Sequence, residues 1–151
     1  MKTIHCFIAA LLLCGAGFFS THADNDAIDV GIYYFPNFHV DPYNEKQKGE
    51  DWTEWELVKY ATPRFEGHWQ PRIPLWGYVD ESDPEVMARK LTVASEHGID
   101  FFIFDWYFYD GHEFLNRALD EGYFEAENNQ IMPFCLMWAN HDWMTYFPVK
   151  V

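Results

Sequence analysis

Three clusters of aromatic and polar side chains could do chemistry together. They are Tyr33-Tyr34-Phe35-Pro36-Asn37-Phe38-His39, Asp105-Trp106-Tyr107-Phe108-Tyr109-Asp110 and Trp138-Ala139-Asn140-His141-Asp142-Trp143. Trp and Tyr offer flat apolar faces with polar edges, and Asp, Asn and His offer hydrogen-bonding groups beside them. A sugar ring has the matching surface, an apolar C–H face and a rim of hydroxyls. Tyr33, Tyr34, His39, Asp105, Trp106, Tyr107, Trp138, Asn140, His141, Asp142 and Trp143 are therefore candidate saccharide-binding residues, with Asp105 and Asp142 weak candidates for catalytic carboxylates. Any one of them alone reads equally well as a core aromatic or a capping aspartate. The weight lies in three such clusters at three strand ends.

A fourth group lies between the first two clusters: Trp52, Glu54, Trp55, His68, Trp69 and Trp76. Of these, Trp52, Glu54, Trp55 and His68 join the candidate binding set. Glu54 stands near two tryptophans, a setting that favours general-acid use of a carboxyl group. The plainer alternative is a surface glutamate on a short helix. Beyond the first 23 residues the histidines are His39, His68, His97, His112 and His141. None forms a helical His-x-x-x-His pair or a Cys/His finger, so neither a metal nor another cofactor is expected.

These residues need elements to position them. Ile28 to Tyr34 is β-branched and aromatic and is stopped by Pro36, which predicts a first strand. A long connection follows to about Asp83, interrupted by Pro36, Pro42, Pro63, Pro71 and Pro74. Little regular structure is expected there beyond a short helix over Trp52–Ala61, and loops of this length are usually functional. Asp83-Pro84-Glu85 is a helix start: a capping side chain, a residue suited to the first helical position, and a charge suited to the dipole. Met87, Leu91 and Ala94 then form an apolar stripe, and Gly98 ends the helix. Ile99–Phe104 predicts a second strand, apolar enough for burial on both faces. Asp110-Gly111 is expected to lead into a second helix over Glu113–Glu121, with Phe114, Leu115, Ala118 and Leu119 inward and Gly122 as its cap. Ile131–Trp138 predicts a third buried strand, with Pro133 near its start and Cys135 as a small buried hydrophobe.

Strand, helix, strand, helix, strand is the signature of a parallel α/β sheet. A doubly wound nucleotide-binding sheet would place a glycine-rich turn after its first strand, and this strand ends in Tyr33-Tyr34-Phe35-Pro36 instead. An incomplete (β/α)8 barrel of the TIM type fits better, because active sites of such barrels are built at the C-terminal ends of the strands. At 151 residues the chain would supply roughly the first three βα units of a barrel needing about 250 residues.

The first 23 residues read as a secretory signal: Met1-Lys2, an apolar run over Phe7–Leu13, and Thr21-His22-Ala23 before Asp24. A lipoprotein anchor at Cys14 is disfavoured by bulky Leu13. The expected location is secreted or periplasmic, with residues 24–151 as the working part. Cys135 is then the lone cysteine, so no internal disulfide is expected. The formal charge is −14, which repels nucleic acid and anionic lipid. No nucleic-acid or membrane partner is expected, and a glycan is.

The motifs taken together resemble a known family. Tyr33-Tyr34-Phe35-Pro36-Asn37-Phe38-His39, Trp52-Thr53-Glu54-Trp55, Gly67-His68-Trp69-Gln70-Pro71-Arg72, Pro74-Leu75-Trp76-Gly77-Tyr78, His97-Gly98-Ile99-Asp100, Phe104-Asp105-Trp106-Tyr107 and Trp138-Ala139-Asn140-His141-Asp142-Trp143 are similar to those of the glycoside hydrolase family ninety-nine-like proteins, also called the WbsX glycosyltransferase-like family. The resemblance runs from about Val30 to Trp143. It implies a (β/α)8 barrel acting on glycans, mannose-containing ones by analogy with family ninety-nine itself. It also implies that the catalytic glutamates lie late in the barrel, beyond Val151, leaving the substrate-binding part here, inactive by itself.

Three functions follow from this reading. The first is the N-terminal part of a secreted glycoside hydrolase using paired carboxylates. The second is a glycosyltransferase of polysaccharide biosynthesis, against which a secretion signal counts because nucleotide-sugar donors are cytosolic. The third is a non-catalytic carbohydrate-binding module, against which the open edges of a three-stranded parallel sheet count.

Overall fold

The computed structural model describes residues 28–109 and 111–139, with Tyr109 described by its backbone alone. The expected signal segment, Asp110, Asn140, His141, Asp142 and Trp143 lie outside the described residues. Among the described residues there are four strands: β1 (Gly31–Tyr34), β2 (Phe101–Tyr109), β3 (His112–Phe114) and β4 (Phe134–Trp138). Among the described residues three α-helices precede β2: α1 (Pro42–Lys48), α2 (Trp55–Lys59) and α3 (Pro84–Glu96). A π-helical segment, Ala118–Tyr123, and a 3₁₀ turn, Asn129–Ile131, lie between β3 and β4.

β1 and β4 both pair in parallel with β2. Tyr33 aligns with Ile103 on one side, and Ile103 with Cys135 on the other. This is the mixed α/β architecture with a parallel sheet that the strand–helix alternation predicts. β2 runs past its parallel partners, and Tyr107–Tyr109 pairs antiparallel with His112–Phe114.

The core lies on one face of the sheet. Alternation along a strand sends Ile32, Tyr34, Phe102, Phe104 and Phe134 to that face, where they pack on Met87 and Leu91 of α3 and on Ala118, Leu119 and Tyr123 of the π-helix. α3 forms as its sequence predicts. The Asp83 side chain accepts a hydrogen bond from the Glu85 amide at 2.8 Å, Met87 and Leu91 are fully buried, and Gly98 takes a left-handed φ of 80° just past the end.

Five expectations are corrected. The proline-rich connection contains α1, because Asp41-Pro42 repeats the start signal of Asp83-Pro84: the Asp41 carboxylate accepts from the Tyr43 and Asn44 amides at 2.9 and 3.3 Å. The helix expected over Glu113–Glu121 is instead a hairpin strand followed by the π-helix. Tyr109 pairs with His112, so the chain forms a hairpin here and not a lead into a helix. Phe114, Leu115, Ala118 and Leu119 are nevertheless buried as expected.

Gly122 is not a cap but a point of close approach. A Cβ there would lie 2.2 Å from the Glu81 carbonyl oxygen. Finally, Cys135 is exposed, and β4 beyond Phe134 is exposed along its length. Among the described residues nothing pairs with the outer edge of β4 and nothing covers Cys135 itself. The strands also begin later than expected, at Gly31, Phe101 and Phe134.

Candidate functional site

Alternation decides where each candidate side chain goes. Tyr33, Ile103, Asp105, Cys135 and Met137 share the face opposite the core. Tyr33 on this face is 70% exposed, so its ring is free to meet a ligand. Asp105 accepts a hydrogen bond from the Tyr107 hydroxyl at 3.3 Å. Its second carboxylate oxygen is buried with no hydrogen-bond partner among the described residues. Desolvation raises the Asp105 pKa, opposed by the Tyr107 hydrogen bond. Tyr107 itself is buried against Phe114 and Leu115. A carboxyl group with an unused buried oxygen at the end of a parallel strand is equipped to accept a hydroxyl proton or to donate one when protonated.

Trp106 and Trp138 lie on the other face. They stand in register, with ring centroids 6.4 Å apart in an edge-on arrangement, and Phe108 stacks on Trp106. The indoles therefore meet each other at the C-terminal end of the sheet, on the α3 side, while Tyr33 and Asp105 occupy the opposite side. The described strand-end candidates Tyr33, Asp105, Trp106 and Trp138 thus share an end of the sheet and divide between its faces.

The long connection is held by a group that sequence reading missed. Glu81 is 2% exposed. It accepts from the Tyr34 hydroxyl at 2.7 Å and from the Phe38 amide at 2.9 Å, and it pairs with Lys90 of α3. The Glu81 amide in turn donates to the Phe38 carbonyl at 2.9 Å. One carboxylate thus joins the end of β1, the loop beyond it and α3. Burial first, and Glu81 second, push the Tyr34 phenol well above its ordinary pKa. Tyr34 is thereby a structural donor rather than an open sugar-binding ring. No periodicity marks Glu81, because its partners are 43 and 47 residues away.

His39 is 1% exposed, and neither ring nitrogen has a hydrogen-bond partner among the described residues. Burial lowers its pKa; Glu81, Asp41 and Asp80 oppose this and Arg117 adds to it. Its neighbours anchor the chain on both sides: Val40 accepts from the Arg117 guanidinium at 2.8 Å, and Asp41 accepts from the Leu115 amide at 2.9 Å.

Trp55 stacks on Phe38 at 3.9 Å and donates its indole N–H to the Val79 carbonyl at 2.8 Å. Lys48 lies 3.7 Å over the Trp52 ring, and Glu54 sits half-buried at the start of α2. His68 stacks on Phe65 at 4.6 Å and accepts from the Arg64 amide at 3.2 Å, which ties it into its own turn. Among the described residues no group of three or more His, Cys, Asp or Glu is placed to hold a metal ion.

Comparison with known proteins places this arrangement in context. Residues 30–150 match the family model described as Glycosyltransferase WbsX. The chain is 38% identical over 112 residues to the uncharacterized protein WxcX of Xanthomonas campestris pv. campestris strain B100, and equally to WxcX of strain ATCC 33913. The match covers 74% of this chain but only 16% of each relative's length. No solved structure matches.

Proposed function

The chain belongs to the WbsX glycosyltransferase family, and from that premise we propose that it forms the N-terminal, substrate-binding part of a (β/α)8 barrel acting on glycans. One observation carries this reading. β1, β2 and β4 lie side by side in chain order, all parallel, as consecutive barrel strands do, with Tyr33 and Asp105 at their C-terminal ends on the face away from the helices. In a closed barrel that face becomes the interior, and the C-terminal ends become the floor of the active site. The exposed edge of β4 is where the next strand would pair.

The reaction we propose is glycoside hydrolysis, with mannose-containing glycans as the first substrates to try. The catalytic carboxylate pair would come from later strands, and Tyr33, Asp105 and the long β1–α3 connection would hold the sugar. The family's description as glycosyltransferases favours a second reading with equal support, transfer of a sugar from an activated donor. Residues 1–23 are proposed as a secretion signal, which would place the working part outside the cytoplasm. A hydrolase suits that place better than an enzyme dependent on nucleotide-sugars.

One assay separates the two reactions. The full-length protein is incubated with an α-mannan oligosaccharide in water alone, and again with a nucleotide-sugar and an acceptor glycan. New reducing ends in the first incubation support hydrolysis. Elongated acceptor only in the second supports transfer and removes the hydrolase reading. Neither product, with full-length protein shown to be folded, removes the enzyme reading.

A further inference from the structure

We propose that a groove across the long connection, straddling the stacked rings of Phe38 and Trp55, binds an uncharged, hydroxyl-rich glycan. The inference rests on the glycan reading above and narrows it to neutral sugars held by this loop. Two hollows make the groove. The first has a volume of about 300 Å³, at the small end of ligand sites, and is walled by Trp55, Leu75 and Trp76, with Glu81 and Lys90 among its lining. The second, of about 190 Å³, is lined by Asp51, Thr53, Glu56, Lys59, Tyr78 and Asp80. Phe38, Trp55 and Val79 line both, so the hollows meet along one aromatic ridge, an arrangement suited to consecutive sugar units.

The first hollow supplies flat apolar surface that is fixed in advance. Trp55 is held by its bond to Val79 and its stack on Phe38. Trp76 is braced by the Arg89 guanidinium, 4.1 Å from the ring centroid. That arginine lines a neighbouring groove with Glu85, Glu125 and Glu127 and not this one. Leu75, at 97% exposure, stands open at the hollow. Rings held in place meet the C–H face of a pyranose with little ordering cost.

The polar groups set the choice of sugar. Among the described residues the charged lining of the first hollow is Glu81 and Lys90, which pair with each other, so it has no net charge to hold an ion. Lys90 donates to Glu81 and to the Tyr34 hydroxyl. An ammonium has three N–H donors, which leaves one for a ligand hydroxyl. The Trp76 indole N–H has no acceptor among the described residues. The second hollow supplies acceptors. The Asp51 carboxylate has no partner among the described residues, Glu56 pairs with Lys59, and Asp80 accepts from the Ser82 hydroxyl at 2.7 Å. Donors in one hollow and carboxylates in the next suit sugar hydroxyls, each of which both accepts and donates. An acidic sugar would meet three carboxylates against the single ammonium of Lys59, in a chain whose formal charge of −14 adds to the repulsion. Tyr34 gives its hydroxyl to Glu81 and its ring to the core, so the groove lies on the α3 side of the sheet, opposite Tyr33 and Asp105.

The test uses the full-length protein carrying Tyr33→Ala, which disables the open face of the sheet, titrated calorimetrically with mannotriose and with trigalacturonic acid. Residual mannotriose binding is expected, with trigalacturonic acid about tenfold weaker. Adding Trp76→Ala should weaken the residual mannotriose binding about tenfold. Leu75→Asp, at a position too exposed to disturb packing, should weaken it in the same direction, and circular dichroism checks that each variant folds. Mannotriose binding that is present in the unaltered protein and abolished by Tyr33→Ala alone overturns the groove and leaves the glycan reading standing. Residual binding that ignores both Trp76→Ala and Leu75→Asp overturns it likewise. Tighter binding of trigalacturonic acid than of mannotriose overturns the neutral preference. Binding of neither sugar by the unaltered protein removes the glycan reading as well. Self-association in sedimentation that Leu75→Asp abolishes, without residual sugar binding, assigns the groove to a second copy of the chain and overturns the proposal.

Discussion

The two faces of the sheet are made from the same strands and meet very different surroundings. On one face Phe102 and Phe104 are 2% and 1% exposed, sealed by α3 and the π-helix. On the other, Phe101, Ile103 and Asp105 are half-buried, and Tyr33 and Cys135 are exposed. The sealed face accounts for stability and the open face for the candidate chemistry. A nearly all-apolar strand reads alike on both sides, so its composition cannot say which side is covered or by what. Covering depends on elements distant in the chain: on the open face Tyr107 is covered by Phe114 and Leu115, whereas among the described residues none covers Tyr33 or Cys135.

The contrast can be broken most forcefully at Glu81. Glu81→Ala strands Lys90 and the Tyr34 hydroxyl and should lower unfolding stability by about 3 kcal/mol; Lys90 keeps some solvent, its side chain being 20% exposed. Urea denaturation measures it, and a change below the usual surface range would mean that the loop is held by other contacts. On the sealed face, Leu91→Ala should cost about 2–5 kcal/mol. Cys135→Ser on the open face should stay within about 0.5 kcal/mol. Comparable losses at both positions would show that the open face is in fact covered.

Binding should follow the opposite pattern. Tyr33→Ala in the full-length protein should weaken glycan affinity by about 1–3 kcal/mol with little change in melting temperature. An unchanged affinity would move the sugar away from this face. The smallest effect concerns Asp105. Burial raises its pKa in the folded state, so the fold holds its proton more tightly than the unfolded chain does. Its destabilising contribution is absent below the unfolded carboxyl value, grows as pH rises toward the folded pKa, and is complete above it. Asp105→Asn should therefore be slightly stabilising at pH 7 and neutral near pH 3. A difference that grows toward acid pH would show that the carboxylate is stabilised in the fold.

Local signals were readable where one residue type has one physical use. Asp83-Pro84-Glu85 marks α3 because cap, first turn and dipole act within a few residues. Asp41-Pro42 carries the same information, but a count of prolines over the whole connection hides it. Asp110-Gly111 between two aromatic stretches is a hairpin signal, and the apolar residues after it, buried on a π-helix, mimic an α-helical stripe. Glu81, His39 and the division of Tyr33 from Trp106 were not legible. Each depends on contacts between segments far apart in sequence, or on which neighbour a strand face receives.

β2 has a consequence of its own. Its first half is gripped from both flanks by parallel neighbours, and its last three residues are paired with His112–Phe114 in a hairpin. Sliding by a single position would swing Phe102 and Phe104 outward, turn Asp105 into the oily layer and tear the hairpin open. The strand thus works as a ruler, fixing how far the carboxylate projects past its neighbours before any ligand arrives.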